Sequence, residues 1–481
     1  MKKDVVLLIA KQFFKKTLST KGFLVLLGIF LSVLVYVTFN GWTSFKKHQQ
    51  IVTQHQKKAR ASWEANPDKH PHRMAHFGTF VFRQQHPLRI FDSGLESYTG
   101  NAIFLEAHKQ NTANFSEASL ATGLMRFGDL SIAMLLQLIL PLIIFFIGYA
   151  SITTEKENGT LKMIYLQGAS MKDVLLGKSV GLFFAVALFF LPSLLALWSI
   201  SFLENYANHS GIIPRALLIS VVYLVFLMLL CATTIIVSAL SENSNKALLT
   251  LLGIWLLFFI IIPKIAQSLG NATYPNLSKT EFKAAVEAEV IKKGDSHNPN
   301  DPYFNSLRDS ILKANKVATI EQLPFNYSGY LMSKGESQTA KVYNKQHNEL
   351  IATYKKQNSL TNKLVLFNPY LAIKNLSMGF SGTNFSTYAD FLKQTEVYRY
   401  KQSQYMNNLQ MKFISNKAKS SEGKVNVVDK VHWKSFPKFN YQYLSVSNII
   451  KNQWFSLASL GIWMFLIGLI VVQFSNRFKI I

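Results

Sequence analysis

The stretch SITTEKENGTLKMIYLQGASMKDVLLGKSVG, residues 151–181, decides how this chain is organised, because it is polar and stands between two long apolar runs. The run that starts at Leu161 has the spacing of a short helix, and it ends at Gly168. Ser170 precedes Asp173 by three residues, the spacing of a capped helix start. A segment of this length can form an amphipathic helix that lies against a membrane face or against a partner protein.

The composition favours a membrane protein over a soluble one. Of the 481 residues, 49% are hydrophobic, yet 51 Lys and Arg against 26 Asp and Glu give a net charge of +25. This combination is typical of a membrane protein whose loops hold the charge. We do not expect nucleic-acid binding, because the basic residues are spread over many segments without a compact motif. The single cysteine, Cys231, excludes an intramolecular disulfide and a zinc site built from cysteines.

Six apolar runs predict six transmembrane helices, since about 20 residues are needed to cross a bilayer. These runs are residues 23–42, 129–150, 179–203, 215–240, 247–268 and 453–475. The first could instead be a cleaved signal peptide, but it is long for one and no Ala-x-Ala site follows, so we interpret it as a retained anchor. Residues 1–22 contain six lysines, and their apolar residues recur at helical spacing, which predicts an amphipathic interface helix on the membrane surface.

The positive charges of the short segments predict the orientation of the chain. With six spans, the basic segments fall on one side, which we assign to the cytoplasm together with both termini: residues 1–22, 151–178, 241–246 and 476–481. The other segments then lie outside: residues 43–128, 204–214 and 269–452. We expect the two large ones to pack together, with a strand over residues 79–82. The predicted fold class is a polytopic α-helical membrane protein, with six transmembrane helices and a composite, mainly α-helical (α+β) extracytoplasmic domain.

The polar loop at residues 151–178 resembles the loop between spans two and three in permease subunits of type-2 ABC exporters (ABC-2 type). Its pattern is Glu-x-Glu-x-Gly-Thr-Leu with a Gly-Lys at the start of the next span, and it consists here of Glu155, Glu157, Gly159, Thr160, Leu161, Gly177 and Lys178. The resemblance implies a coupling helix that docks on a separate cytoplasmic ATPase, beside the N-terminal interface helix. Taken alone, such glutamates are more often a solvated charge cluster near the membrane than a docking site.

The two large polar segments resemble a subgroup of these permeases that has a large outer domain of unknown function. The matching stretches are His76–Gly78, Pro87, Phe91–Gly94, Leu105–Gln110, Asn368-Pro369, Leu376–Met378, Gly382-Thr383, Phe391 and Glu396-x-x-Arg399. The subgroup occurs in Gram-negative bacteria, which implies the bacterial inner membrane and a periplasmic domain. The chain has no Gly-x-x-x-x-Gly-Lys-Ser/Thr motif, so ATP and Mg²⁺ are expected in the partner ATPase and no cofactor in this chain.

The sequence therefore predicts a permease subunit that is not itself an enzyme. No Asp, Glu, Lys or Arg lies in the middle of a span, which favours an ATP-driven device and an apolar, lipidic or envelope-related cargo. We expect two copies, or one copy with a related permease subunit, to form the pathway in the lipid bilayer. The alternative is a mechanical complex, in which ATP hydrolysis moves the outer domain to control a periplasmic or envelope partner and nothing is transported.

Histidines near residue 70 suggest a third class, a membrane-bound metal-handling protein. His70, His72 and His76 are its candidate ligands, with Met74, His86 and His108 nearby in the sequence. Against this, the chain has no His-Glu-x-x-His motif, and Pro71 separates the first two histidines. We therefore predict no metal site. We also predict no catalytic residue, because no Gly-x-Ser-x-Gly motif occurs.

Overall fold

The computed structural model describes residues 2–113, 130–202, 211–294, 296, 298–417 and 426–477, and these residues are mostly helical. In chain order the elements are α1 (Lys3–Leu18), α2 (Lys21–Glu64), α3 (Pro71–Phe77), β1 (Thr79–Phe82), β2 (Ala102–Leu105), α4 (Ile132–Glu157), α5 (Thr160–Leu166), α6 (Met171–Phe202), α7 (Ile212–Leu240), α8 (Ser244–Thr273), α9 (Lys279–Lys293), α10 (Pro302–Ala314), α11 (Tyr327–Leu364), α12 (Pro369–Ser381), α13 (Phe385–Phe413), α14 (Val431–Ser435), α15 (Val446–Asn452) and α16 (Trp454–Arg477).

Six helices in the described part of the chain are long and apolar enough to cross a membrane: α2, α4, α6, α7, α8 and α16. Their number confirms the six predicted apolar spans and a multi-pass membrane protein. In α4, 61% of the most apolar stretch is buried within the chain, against 22% in α2 and 11% in α8. Therefore α4 lies at the centre of the bundle, and α2 and α8 lie at its periphery, where lipid or another subunit would cover them.

The first span does not end where its apolar run ends. Helix α2 has 44 residues and continues to Glu64, well beyond the predicted span at residues 23–42. Its second half is rich in Lys, Gln and Ala and contains no proline or glycine after Gly41, so the helix has no reason to stop at the end of the apolar run. Because of this continuity, the span and the start of the first large polar segment form one rod of about 65 Å at 1.5 Å per residue.

The two large polar segments pack together and form what we call the polar domain, residues 43–113 and 269–452 where described. Strands β1 and β2 pair antiparallel, with Thr79 opposite Leu105, which confirms the predicted strand over residues 79–82. One hydrophobic cluster joins Trp63 of the first segment to Trp433 of the second, and both are almost completely buried. The predicted link at residues 204–214 and the tail at 476–481 lie largely outside the described residues.

Helix α12 belongs to the second polar segment by sequence but packs among the apolar spans. Its apolar side chains share the main hydrophobic cluster with spans α7 and α16, and Leu371, Ile373 and Leu376 are almost completely buried. Asn368 caps the helix by accepting the N–H of Tyr370 at 3.0 Å, and it donates its own amide to the carbonyl of Phe258 at 2.8 Å. The polar domain is thus anchored inside the bundle and does not rest on its surface alone.

Candidate functional site

The polar loop forms a short helix, α5, at one end of the bundle. Gly159 starts it in the left-handed region, with φ at +71°, where glycine carries no steric cost. At the other end of the loop, Ser170 and Asp173 cap α6 reciprocally: Ser170 Oγ accepts the N–H of Asp173 at 3.2 Å and donates to its carboxylate at 2.6 Å. This is the capping arrangement that the sequence predicted.

The charged residues of the loop are engaged with other helices of the same chain. Glu155 forms an ion pair with Lys178 of α6, and Lys178 also donates to the carbonyl of Ser151. Glu157 accepts the backbone N–H of Ser244 at 2.7 Å, so this carboxylate binds the first turn of α8. Lys156 donates to the carbonyls of Ala239 and Ser241, at the end of α7. The loop is therefore fixed to three neighbouring spans by its own charges.

Helix α5 exposes two large apolar side chains to solvent. Leu161 is buried against the bundle, whereas Met163 is 58% exposed and Leu166 is 82% exposed. Residues three apart lie on one face of a helix, so Met163 and Leu166 form a small apolar patch that faces away from the rest of the chain. Lys162 and Gln167, both exposed, lie next to this apolar patch.

The N-terminal helix α1 packs tightly on α6 next to this loop. A Cβ on Gly177 would meet Ile9 at 2.7 Å, and a Cβ on Gly181 would meet the carbonyl oxygen of Ala10 at 2.7 Å. Glycines four residues apart allow two helix backbones to approach closely. Lys2 reinforces the contact by donating from its side chain to the carbonyl of Gly168 at 3.1 Å. Lys2 therefore joins α1 to the segment that directly follows α5, at this end of the bundle.

The predicted coupling residues thus lie close together, but their structural roles differ. Glu155 and Lys178 hold the loop on the bundle, Gly159 permits its turn, and Leu161 anchors α5 from below. Thr160 is exposed at the start of α5, and Glu157 is exposed while bonded to α8. Sequence reasoning did not single out the two apolar residues that α5 exposes. The spacing of Met163 and Leu166, opposite the buried Leu161, was the signal that could have found them.

The polar domain brings three histidines together. His72 and His76 lie one turn apart on α3, and His108 comes from the turn after β2; one nitrogen of each lies within 4.8 Å of the others. His70 is not part of this cluster, because its Nδ1 accepts the N–H of His72 at 3.2 Å and caps α3. His86, before Pro87, caps the next short helical turn in the same way. The third histidine of the cluster is therefore His108, and the candidate His70 lies outside it.

A buried ionic network stands behind the histidine cluster. Glu336 accepts from the Nδ1 of His108 at 3.1 Å and from Arg399 at 2.6 Å, and Arg399 is also paired with Glu396 at 2.7 Å. Burial alone would raise the pKa of Glu336, but the hydrogen bond from His108 and the charge of Arg399 outweigh it and lower that pKa to about 2. Glu336 is therefore an ionised carboxylate with no exposed surface, held between two cationic or donor groups.

A second polar network runs through the interface between the spans and the polar domain. Gln137 of α4 donates to the hydroxyl of Tyr223 at 2.6 Å, and that hydroxyl lies 2.9 Å from Ser377 of α12. Ser377 donates in turn to the carboxylate of Asp92. Burial raises the pKa of Asp92, although Ser377, the N–H of Gly94 and the charge of Lys374 act in the opposite direction. All four residues of this hydrogen-bond network are buried.

Comparison with known proteins gives one family match. Residues 279–442, in the polar domain, match a family described as "Domain of unknown function (DUF3526)". No curated protein matches the chain. The matched region contains Glu336 and Arg399, whereas the loop at residues 151–178 lies outside it. The match therefore concerns the polar domain and assigns no activity to the chain.

Proposed function

We propose that this chain is the permease subunit of an ATP-binding cassette transporter, driven by a separate ATPase that docks on α1 and α5. The observation that carries the proposal is the construction of α5. It exposes Met163 and Leu166, yet its flanks are bonded to α6, α7 and α8 through Lys178, Lys156 and Glu157. A displacement of α5 would therefore be transmitted to the three spans α6, α7 and α8.

The orientation proposed here puts this surface in the cytoplasm of a bacterial cell, with the spans in the inner membrane and the polar domain in the periplasm. The support is the concentration of lysines on α1 and around α5, including Lys162 and Lys172, because short cytoplasmic segments are enriched in basic residues. Both termini then lie on the cytoplasmic side. A second copy of the chain, or a related permease subunit, would cover the largely exposed faces of α2 and α8.

A cavity in the polar domain supports an apolar or lipidic cargo. It has a volume of about 870 Å³ and lies beside α11 and α13. Ile351 and Phe385 contribute apolar surface, and Lys355 and Lys393 line the same cavity. Cavities of this size hold small molecules in other proteins. An acyl chain with an acidic headgroup would suit such a lining.

Copurification tests the proposal directly. The chain would be expressed with a candidate ABC ATPase from the same genome and purified in detergent through a tag on one partner. We expect both chains to elute together, and we expect Leu166→Asp to abolish the association while the protein still inserts into the membrane. Glu155→Lys and Glu157→Lys should weaken the association indirectly, because they detach the loop from α6 and α8. An association that survives Leu166→Asp would contradict docking on α5.

A mechanical device is the second function that a specific observation favours. Helix α12 of the polar domain is buried among the spans, and the hydrogen bonds from Gln137 to Asp92 cross the same interface. Movement of the spans would therefore move the polar domain even if nothing were transported. Reconstitution in vesicles separates the two functions: ATP-dependent transfer of labelled lipid supports transport, whereas ATP-dependent change in the polar domain without transfer supports a mechanical role.

A further inference from the structure

We propose that His72, His76 and His108 form a binding site for a divalent transition-metal ion, with Zn²⁺ as the best fit and Cu²⁺ as the alternative of the same class. The site lies in the polar domain and is independent of the ATPase-docking surface. It does not include His70, which the sequence had suggested as a ligand and which caps α3.

The three rings stand close enough to form a metal site after small side-chain rotations. Their centroids are 4.6, 5.7 and 5.3 Å apart, and their candidate ligand nitrogens lie within 4.8 Å of one another. Two nitrogens bound to tetrahedral zinc, at roughly 2.0–2.1 Å each, are about 3.3 Å apart. Side-chain rotations that move each nitrogen by less than about 1 Å would therefore close the site, without movement of the backbone.

The backbone conformation brings the three histidines together. His72 and His76 are four residues apart on α3, so both project from one face of the helix. His108 has a φ of +62°, a left-handed conformation that is unusual for a residue other than glycine. This conformation is held by the N–H of His108, which donates to Glu336 at 2.9 Å. Such local strain persists only where the surrounding contacts impose it, and it is common at ligand sites.

Glu336 supplies the outer-shell partner that metal-binding histidines usually have. Its carboxylate engages the Nδ1 of His108 at 3.1 Å, which leaves Nε2 as the nitrogen through which His108 would bind the ion. Arg399 fixes the same carboxylate at 2.6 Å, and Glu396 in turn fixes Arg399. Glu336 has no solvent exposure, so the orienting group cannot rotate away. This arrangement of carboxylate, histidine and metal fixes both the tautomer and the direction of the ligand.

The ligand set selects the class of ion. Three neutral imidazoles suit Zn²⁺ and Cu²⁺ and do not suit Mg²⁺ or Ca²⁺, which prefer oxygen ligands. His76 is exposed, so the site can load from solution. With three protein ligands, a fourth position would be taken by water or by a group from a partner, as in sites that exchange or present their metal.

The test uses the full-length protein, purified in detergent, stripped with EDTA and desalted. Calorimetric titration with Zn²⁺ alone, and separately with Cu²⁺ alone, should give one ion per chain for at least one of the two metals. His76→Ala should weaken that binding by more than the about 10–100-fold cost of losing an outer-shell partner. The control is His55→Ala, which removes an exposed histidine of the same domain outside the cluster and should leave the affinity unchanged. A wild-type protein that binds neither ion, or binds no better than His76→Ala, overturns the site.

The role of Glu336 is tested separately. Glu336→Gln should weaken metal binding about 10–100-fold and leave the stoichiometry at one. Co²⁺ in place of zinc gives a second readout, because the visible spectrum of the bound ion reports its coordination geometry and should change in Glu336→Gln. Melting curves in EDTA show whether each variant is folded before metal is added. An unchanged affinity and an unchanged cobalt spectrum in folded Glu336→Gln would remove Glu336 from the site.

Discussion

If an ATPase docks on α5 as proposed, replacing Leu166 with alanine should weaken that complex by about 30-fold without unfolding either chain. The side chain of Leu166 is 82% exposed in the isolated subunit, so docking would remove most of it from water. Truncation to alanine deletes three carbons at about 0.8 kcal/mol each, and the exposed share of that sum is about 2 kcal/mol. A tenfold change in affinity corresponds to about 1.4 kcal/mol, which gives the 30-fold figure. Alanine is also a better helix former than leucine, so α5 should persist.

The assay is a binding titration of the purified ATPase against the detergent-solubilised subunit on a biosensor surface. Leu195→Ala is the matched control, because Leu195 is 70% exposed but lies in the span α6, away from the docking surface. The dissociation constant should rise for Leu166→Ala and stay at the wild-type value for Leu195→Ala. Equal dissociation constants for wild type and Leu166→Ala would refute the docking surface, since no other effect of the substitution offsets a lost apolar contact of this size.

Three other predictions concern packing, protonation and topology. Gly181→Val should push α1 off α6, because even one added Cβ meets the carbonyl oxygen of Ala10 at 2.7 Å, and trypsin should then cleave at the lysines of α1 sooner than in wild type. Burial raises the pKa of Asp92 above its unfolded value, so its contribution to stability is present below that value and is lost as the pH rises through the folded pKa. The melting temperature of Asp92→Asn relative to wild type should therefore increase from pH 4 to pH 8, and a decrease would contradict this sign. Finally, Gln167→Cys and Ser306→Cys, each in a chain without Cys231, should react with an impermeant maleimide from opposite sides of the membrane; labelling from the same side would contradict the six-span orientation.

Features set by neighbouring residues were predictable from the sequence. The six apolar runs are long enough to need a bilayer, and the structure has six helices of that kind. The strand at residues 79–82 followed from local alternation, and the cap of α6 followed from the spacing of Ser170 and Asp173. In each case the sequence signal lies within a short window, although the pairing that completes the strand joins Thr79 to Leu105, 26 residues away.

Features set by distant residues were not predictable in the same way. Glu157 binds Ser244, 87 residues away, and His108 binds Glu336, 228 residues away. Such partners become neighbours only after the helices have packed, and one sequence gives no measure of which pair will meet. This is why the sequence did not show that the loop glutamates bind other parts of the chain, and why His70 was grouped with His72 by its position in the sequence.

Helix α12 shows a different reason for an incomplete prediction. Its apolar run is too short to cross a bilayer, so a length criterion assigns it to the polar segment. The structure buries it among the spans because its apolar side chains are matched by those of α7 and α16, and because Asn368 accepts the N–H of Tyr370 at the buried start of the helix. Length distinguishes a span from a shorter helix, but it does not distinguish a helix in a soluble domain from one inserted into a bundle.

Span α7 links the two ends of the molecule, which suggests how the proposed docking surface and the polar domain could act together. Near its end, Ser238 accepts the N–H groups of Ile152 and Thr153 from the polar loop. Near its start, Arg215 donates to the carbonyls of Phe380 and Leu444 in the polar domain. A helix bonded at both ends transmits displacement along its axis better than it absorbs it, because its own hydrogen bonds resist extension. We therefore expect that a change imposed on α5 displaces the polar domain, which is a requirement that the transport and the mechanical functions share.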